Sequence, residues 1–273
     1  MKMSITDQHL NEFATHGYTF IEQLVPPKDR TRLCQRAMYL SQNPPQSILR
    51  DPQAPGTPSI YKNFQMHGDF HMEDLLESLV PEIEQVTQRP LFPTYSYFRV
   101  YKAEDVLNRH VDRPACEFSV SLNLGYRAPA PWLLWVEGPL GARGAAMEPG
   151  DAVVYRGLEC PHWRESFTGE FVAQLFLHYV DQEGPHAEWK FDKRPRLRTI
   201  PKRYQHSKDF RLAQGVQNAP LGTLIFQKLQ ANCAVPDIVN DTMMEFQLSQ
   251  IEAEAVVTQF ILELEKSGLL FVD

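Results

Sequence analysis

Hydrophobic spacing changes its period twice along the chain. In residues 27–42, Leu33, Ala37 and Leu40 fall on one side of a helix that Pro26-Pro27 opens. Residues 69–88 carry Met72, Leu75, Leu76, Leu79, Ile83 and Val86 at the same spacing and predict one further helix. Residues 6–14 predict a short helix begun by a Thr6 or Asp7 cap, broken at His16-Gly17 and followed by a strand over 18–24. From Pro93 to Val180 the period falls to two, in short runs separated by Gly and Pro. These runs predict strands at 95–101, 117–124, 132–136, 152–155 and 172–179. Helical spacing returns at 221–229, 235–245 and 249–266. In the last of these Ile251, Ala255, Val256, Phe260, Ile261 and Leu264 share a face, Ser249 and Glu252 have capping-box spacing, Gly268 stops the helix, and 269–272 close as a strand. Residues 43–58 hold Pro44, Pro45, Pro52, Pro55, Gly56 and Pro58, which predicts a loop, with a lid over a site as its expected use.

Many short strands after helices predict an α+β fold, a barrel or double sheet braced by N-terminal helices, with a small helical module behind it. Charge marks the junction. Residues 190–211 carry a net +7 and residues 220–273 a net −6, so the expected organisation is a domain over 1–192, a basic linker over 193–215 and an acidic module over 216–273. The whole chain of 273 residues is 43% hydrophobic, 22% charged and −7 in net charge, which fits a soluble globular protein and argues against binding to nucleic acid. No stretch reaches the roughly 18 apolar residues of a membrane span, and the first residues lack the apolar core of a secretory signal. The expected location is cytoplasmic. Cys34, Cys116, Cys160 and Cys233 are scattered without metal-binding or disulfide spacing, so they read as buried or idle thiols.

The chemistry concentrates in two short segments. His110-Val111-Asp112 follows the strand at 95–101, and in extended chain the i, i+2 spacing puts an imidazole and a carboxylate on one face. A second histidine, His162, follows the strand at 152–155 and its turn. Two histidines and a carboxylate from two strand ends are the ligand set of a facial triad, which holds Fe(II) and leaves three adjacent positions open.

Phe98-Arg99-Val100-Tyr101, His110-Val111-Asp112-Arg113-Pro114, the run from Glu117 to Leu124, Gly150-Asp151-Ala152-Val153-Val154-Tyr155 and His162-Trp163-Arg164-Glu165 together resemble the Fe(II)/2-oxoglutarate-dependent dioxygenase superfamily. The opening from Thr6 to Leu33 is similar to phytanoyl-CoA-hydroxylase-like and prolyl-hydroxylase-like members. The resemblance covers about residues 6–192 and implies a double-stranded β-helix, or jelly-roll, core. It also implies His110, Asp112 and His162 as iron ligands, with 2-oxoglutarate as co-substrate and O2 as oxidant. A carboxylate at Asp112 favours hydroxylation over halogenation, because halogenases of this superfamily have a small residue there. Where such enzymes carry a basic residue about ten positions after the second histidine, this chain has Phe171, Val172 and Ala173. Arg164, on the same strand face as His162, is the substitute for binding the distal carboxylate, the alternative being a surface ion pair with Glu165 or Glu170. Arg99 and Arg156 are further cations in range. The Tyr95 and Tyr97 hydroxyls suit a carboxylate, against plain core packing, and Gln174 and His178 share a strand face that either meets co-substrate or substrate or carries satisfied polar side chains on a half-buried strand. Ser119, Ser121 and Asn123 form a polar strand face that lines the barrel mouth or faces solvent. Glu117 stands either against substrate or as a strand-edge charge.

The acidic module resembles PqqD-like winged-helix peptide-recognition domains in the runs 221–229, 235–239 and 260–270. That resemblance implies β-addition of a peptide to a small sheet. Joined to the first, it gives the functional expectation: hydroxylation of an unactivated C–H bond, on a side chain of a peptide or protein held by the module. The alternatives are a small-molecule hydroxylase whose module makes a homodimer, and a non-enzymatic peptide-binding or iron-sensing protein. Neither nucleic acid nor membrane is an expected partner.

Overall fold

The computed structural model describes residues 5–42, 64–194, 196–197 and most of 220–266. These fall into two compact units, residues 5–42 with 64–197, and residues 220–266. The loop expected at 43–58, most of the basic linker and the closing strand at 269–272 lie outside the described residues.

In the first unit, helix α1 (Asp7–His16) starts at Thr6, whose backbone N–H donates to His9 Nδ1 at 3.1 Å. It ends where Gly17 takes the left-handed conformation at φ 79° and donates to the Phe13 carbonyl. Strand β1 (Tyr18–Ile21) and helix α2 (Pro27–Gln42) follow, then β2 (Gln65–His67). The single helix expected at 69–88 is two, α3 (Phe70–Ser78) and α4 (Val80–Thr87). The cause is Pro81, which supplies no N–H and crowds the preceding turn, so it suits the first turn of a new helix. Asp69 caps α3 by accepting from the backbone of His71 and Met72, and Arg36 holds its carboxylate at 2.6 Å.

The strands are β3 (Leu91–Lys102), β4 (Leu107–His110), β5 (Phe118–Arg127), β6 (Leu134–Gly138), β7 (Gly141–Ala145), β8 (Ala152–Arg156), β9 (His162–Arg164) and β10 (Phe171–Asp181). The expected strand at 132–136 thus begins two residues later, and β2, β4, β7 and β9 are additional. They form a six-stranded sheet in the order β1-β8-β5-β10-β3-β2 and a four-stranded sheet in the order β4-β9-β6-β7, with antiparallel pairing throughout among the described residues.

Register sorts the large sheet into two faces. Phe98, Leu175, Leu122 and Ala152 lie side by side across β3, β10, β5 and β8, and this apolar face packs on α2, α3 and α4. The opposite face carries three polar rows: Arg99, Gln174 and Asn123; Tyr97, Phe176 and Ser121; His178, Ser119 and Tyr155. Val153 and Tyr155 of this face pack with Leu107, Leu134 and Val136 of the small sheet, so it is the interior between the sheets. The polar face of β5 therefore lines the interior; Ser119, Ser121 and Asn123 are all buried.

The second unit holds α5 (Pro220–Gln230), α6 (Val235–Phe246) and α7 (Gln250–Lys266). The Ser249 backbone N–H donates to Glu252 Oε2 at 2.9 Å and Ser249 Oγ accepts from the Glu252 backbone N–H at 3.4 Å, completing the expected capping box. The buried stripe of α7 runs through Ala253, Val257 and Phe260. Of the face expected from the spacing, Phe260 is buried and Val256 and Ile261 are half-buried, while the side chains of Ile251, Ala255 and Leu264 lie outside the described ones. No helix among the described residues is long and apolar enough to cross a membrane.

Candidate metal centre

β4 and β9 are antiparallel neighbours with His110 opposite His162, which puts the two imidazoles side by side, ring centroids 4.3 Å apart. Each ring is anchored the same way. His110 Nδ1 lies 2.8 Å from the Asn108 carbonyl and His162 Nδ1 3.1 Å from the Cys160 carbonyl. A carbonyl only accepts, so Nδ1 carries the proton in both rings and Nε2 keeps its lone pair. Those Nε2 atoms stand 3.8 and 3.7 Å from a single atom, Asp112 Oδ1. The three ligand atoms lie within 4.8 Å of one another, a set that one ion can bridge.

His162 is 3% exposed, and burial, with His110 beside it, lowers its pKa to about 3, so the ring is neutral at physiological pH and able to ligate. Burial raises the Asp112 carboxyl, against the pull of His178 and a hydrogen bond from Ser119. Asp112 is fixed from both sides. Its N–H donates to the Gly157 carbonyl at 2.8 Å, and Oδ2 accepts from Ser119 Oγ at 2.7 Å. Gly157 cannot be another residue here, since a Cβ would stand 2.1 Å from the Cys116 carbonyl and 2.6 Å from Asp112 Oδ2.

Arg164 is the next inward-facing residue of β9 after His162, and it is 2% exposed. Its Nη1 donates to the Trp132 carbonyl, and the guanidinium lies 4.7 Å over the Trp132 ring. Nε and Nη2 have no hydrogen-bond partner among the described residues. Burial lowers its pKa to about 10, offset in part by Tyr101 and Tyr155, so it remains a cation. The alternative of a surface ion pair is overturned. Glu170 pairs instead with Arg127 at 2.9 Å, and the Glu165 side chain takes the Trp163 indole N–H at 3.2 Å.

The other expected residues separate into interior and exterior groups. Arg99 is buried with its guanidinium 4.6 Å over the Tyr101 ring, and Gln174 beside it donates Nε2 to Ser121 Oγ at 2.9 Å while Oε1 has no hydrogen-bond partner. Tyr97 donates its hydroxyl to Gln65 Oε1 and packs against His67 and Phe176. Tyr95 meets Cys116 Sγ at 3.1 Å. Outside the interior, Arg156 pairs with Glu159 at 3.2 Å, and Glu117 accepts the Asp181 backbone N–H at 2.9 Å, a strand-end role.

Two features of the site escaped sequence reasoning. Tyr155 brings its hydroxyl to 3.4 Å from His162 Nε2, and Ser119 joins Asp112 to His178 Nδ1, 2.9 Å away. The alternation of 118–124 held the signal for Ser119. A second group able to hold an ion, Asp112, Cys116 and His178, shares Asp112 with the first. Its Cys116 and His178 already bond to Tyr95 and Ser119, whereas the ligand atoms of His110, Asp112 and His162 meet only the long 3.4 Å contact from Tyr155 to His162 Nε2.

No protein-family model matches the chain, and no curated protein matches it. Solved structures do. EctD from S. alaskensis, in a structure with bound Fe, aligns over 70% of this chain and 84% of its own at a TM-score of 0.52 and 15% identity. A Pseudomonas putida prolyl-4-hydroxylase aligns over 64% of this chain and 97% of its own at 0.51 and 17%. The non-haem α-ketoglutarate-dependent epimerase SnoN from nogalamycin biosynthesis aligns over 64% and 80% at 0.51 and 12%. At these identities the likeness is one of fold, shared with these three proteins over about two-thirds of this chain.

Proposed function

We propose that the first unit is an Fe(II)- and 2-oxoglutarate-dependent oxygenase that hydroxylates an unactivated C–H bond. One observation carries this reading: a two-histidine, one-carboxylate set that runs from the exposed His110 to the buried His162 stands beside a buried arginine with an open two-donor edge. When bound, ferrous iron with a 2-oxo acid supplies oxidising power by coupling O2 reduction to decarboxylation of the co-substrate. The residues fit both groups. His110 and His162 offer Nε2 lone pairs, Asp112 offers Oδ1, and nitrogen and oxygen donors suit iron. Three protein ligands leave the remaining positions for small molecules.

Arg164 fits the far carboxylate of a dicarboxylic 2-oxo acid. Nε and Nη2 form one edge of the guanidinium, the parallel fork that carboxylates accept, while Nη1 is spent on Trp132. A buried cation with two unmet donors is costly unless an anion fills the place. Arg164 lies two residues from His162 along β9, roughly 6.6 Å of strand, which is of the order of a five-carbon diacid's length. Tyr101, Trp132 and Phe176, from one packed cluster, exclude water around that edge and strengthen the pairing.

The test is anaerobic titration of the protein with Fe(II) and then 2-oxoglutarate, followed by visible absorption. We expect a metal-to-ligand band in the wild type, none in Asp112→Ala, and in Arg164→Leu a band that needs far more co-substrate. Iron binding without any 2-oxoglutarate band in the wild type would overturn the reading. For the substrate, the acidic helical unit supports a peptide or protein with cationic residues, through charge complementarity.

A further inference from the structure

Asp112 has two carboxylate oxygens, and the protein treats them differently. Oδ1 faces both histidine Nε2 atoms, whereas Oδ2 is held by Ser119 Oγ at 2.7 Å. An ionised carboxylate only accepts, so the single hydroxyl proton of Ser119 goes to Oδ2, and the serine lone pair accepts from His178 Nδ1–H at 2.9 Å. The Cys116 carbonyl lies 3.3 Å from the same hydroxyl, a longer and uncharged competitor. His178 sits on β10 directly opposite Ser119 and is 5% exposed, its ring packed 4.6 Å from Tyr95. On the remaining side Gly157 approaches so closely that a Cβ would come within 2.6 Å of Oδ2.

We propose that Ser119 and His178 are positioning residues that restrict Asp112 to one-oxygen ligation. The inference rests on the metal reading above and deepens it. A carboxylate free to rotate binds a divalent ion through both oxygens and takes a fourth coordination position. With Oδ2 tied to Ser119, an octahedral ion receives two nitrogens and one oxygen from the chain, and three positions stay open for a bidentate 2-oxo acid and one further small molecule. The hydrogen-bond chain thus reserves coordination space and need not add to metal affinity.

Co(II) is the probe, with anaerobic calorimetry first for Co(II) and then for 2-oxoglutarate on the Co(II)-loaded full-length protein. The variants are Ser119→Ala, His178→Leu and His178→Asn, the last keeping an N–H donor near the Nδ1 position. We expect Ser119→Ala and His178→Leu to bind Co(II) as tightly as wild type or tighter, and 2-oxoglutarate roughly tenfold more weakly, with His178→Asn close to wild type. This opposite movement of two affinities is a signature that loss of folding does not produce. The proposal is overturned if both affinities stay unchanged in Ser119→Ala and His178→Leu, or if both fall in parallel with melting temperature. A wild type that binds no Co(II) overturns the metal reading itself, and with it this inference.

Discussion

The two faces of β5 are equally hidden from water and built on opposite rules. Val120, Leu122 and Leu124 meet helices or apolar strands on one side, and Ser119, Ser121 and Asn123 look into the space between the sheets on the other. Burial of the first face removes apolar area from water and stabilises the fold. Burial of the second brings hydroxyls, amides and two arginines out of water, at a cost that hydrogen bonds only partly offset. The residual mismatch is concrete: Asn123 Oδ1, Gln174 Oε1 and the Arg164 Nε–Nη2 edge have no hydrogen-bond partner among the described residues. A polar interior that is incompletely satisfied marks a place shaped for something other than stability.

Substitutions on each face sharpen that contrast. The largest effect is expected on the apolar face, where Leu122→Ala lowers unfolding free energy by about 2–5 kcal/mol in denaturant titration. Its Co(II) affinity should stay within about twofold of wild type, because the cavity lies behind the site and not in it. On the polar face His162→Ala should reverse the pattern, with Co(II) affinity down at least about 100-fold, exceeding what outer-shell changes cost, and thermal stability little altered. Arg164→Leu is expected to leave the metal-free protein as stable as wild type or more so by about 1 kcal/mol, since an uncompensated buried cation is removed. A marked loss of stability in that variant would mean that the arginine holds the fold, and that its free edge has no ligand.

Acid stability probes the same face more gently. Burial lowers the His178 pKa from 6.5 to about 4, so between those values the unfolded chain binds a proton that the folded chain refuses. Stability should therefore fall as pH drops from 6.5 toward 4 and be free of this penalty above 6.5. His162 acts in the same sense, and the raised Asp112 carboxyl in the opposite one. In metal-free His178→Asn the acid slope should flatten while Co(II) and 2-oxoglutarate affinities hold. The smallest effect is on the second unit, where Glu245→Lys should change stability by no more than about 0.5 kcal/mol. The peptide reading requires that this charge reversal weaken capture of a cationic peptide at low salt.

Spacing offered His110, Asp112 and His162 as a candidate set, two of them two residues apart and the third after a strand of obvious alternation, and it took the family resemblance to name them as ligands. The segments that complete the site were harder to read. β9 is three residues long and follows a proline, and β7 is Gly-Ala-Arg-Gly-Ala with no apolar rhythm, so both exist through pairing with β6. Alternation located the polar face of β5 but could not orient it, since solvent and a closed interior impose the same period. The pairing of His110 with His162, and of Ser119 with His178, depends on register between distant strands, which no local pattern encodes.

β10 is the last strand of the first unit to be made and sits in the middle of the large sheet, between β5 and β3. On a ribosome adding roughly 5–20 residues per second, β3 and β5 therefore wait for their shared neighbour with their apolar rows uncovered. The candidate ligand trio is complete in the nascent chain at His162, but His178 arrives only with that final strand. Under the metal reading, the restriction of Asp112 to one oxygen thus belongs after this stretch has left the exit tunnel. A truncated product ending before residue 171 would be an open pair of strand edges, a target for quality control, with its histidines unable to take up their native places.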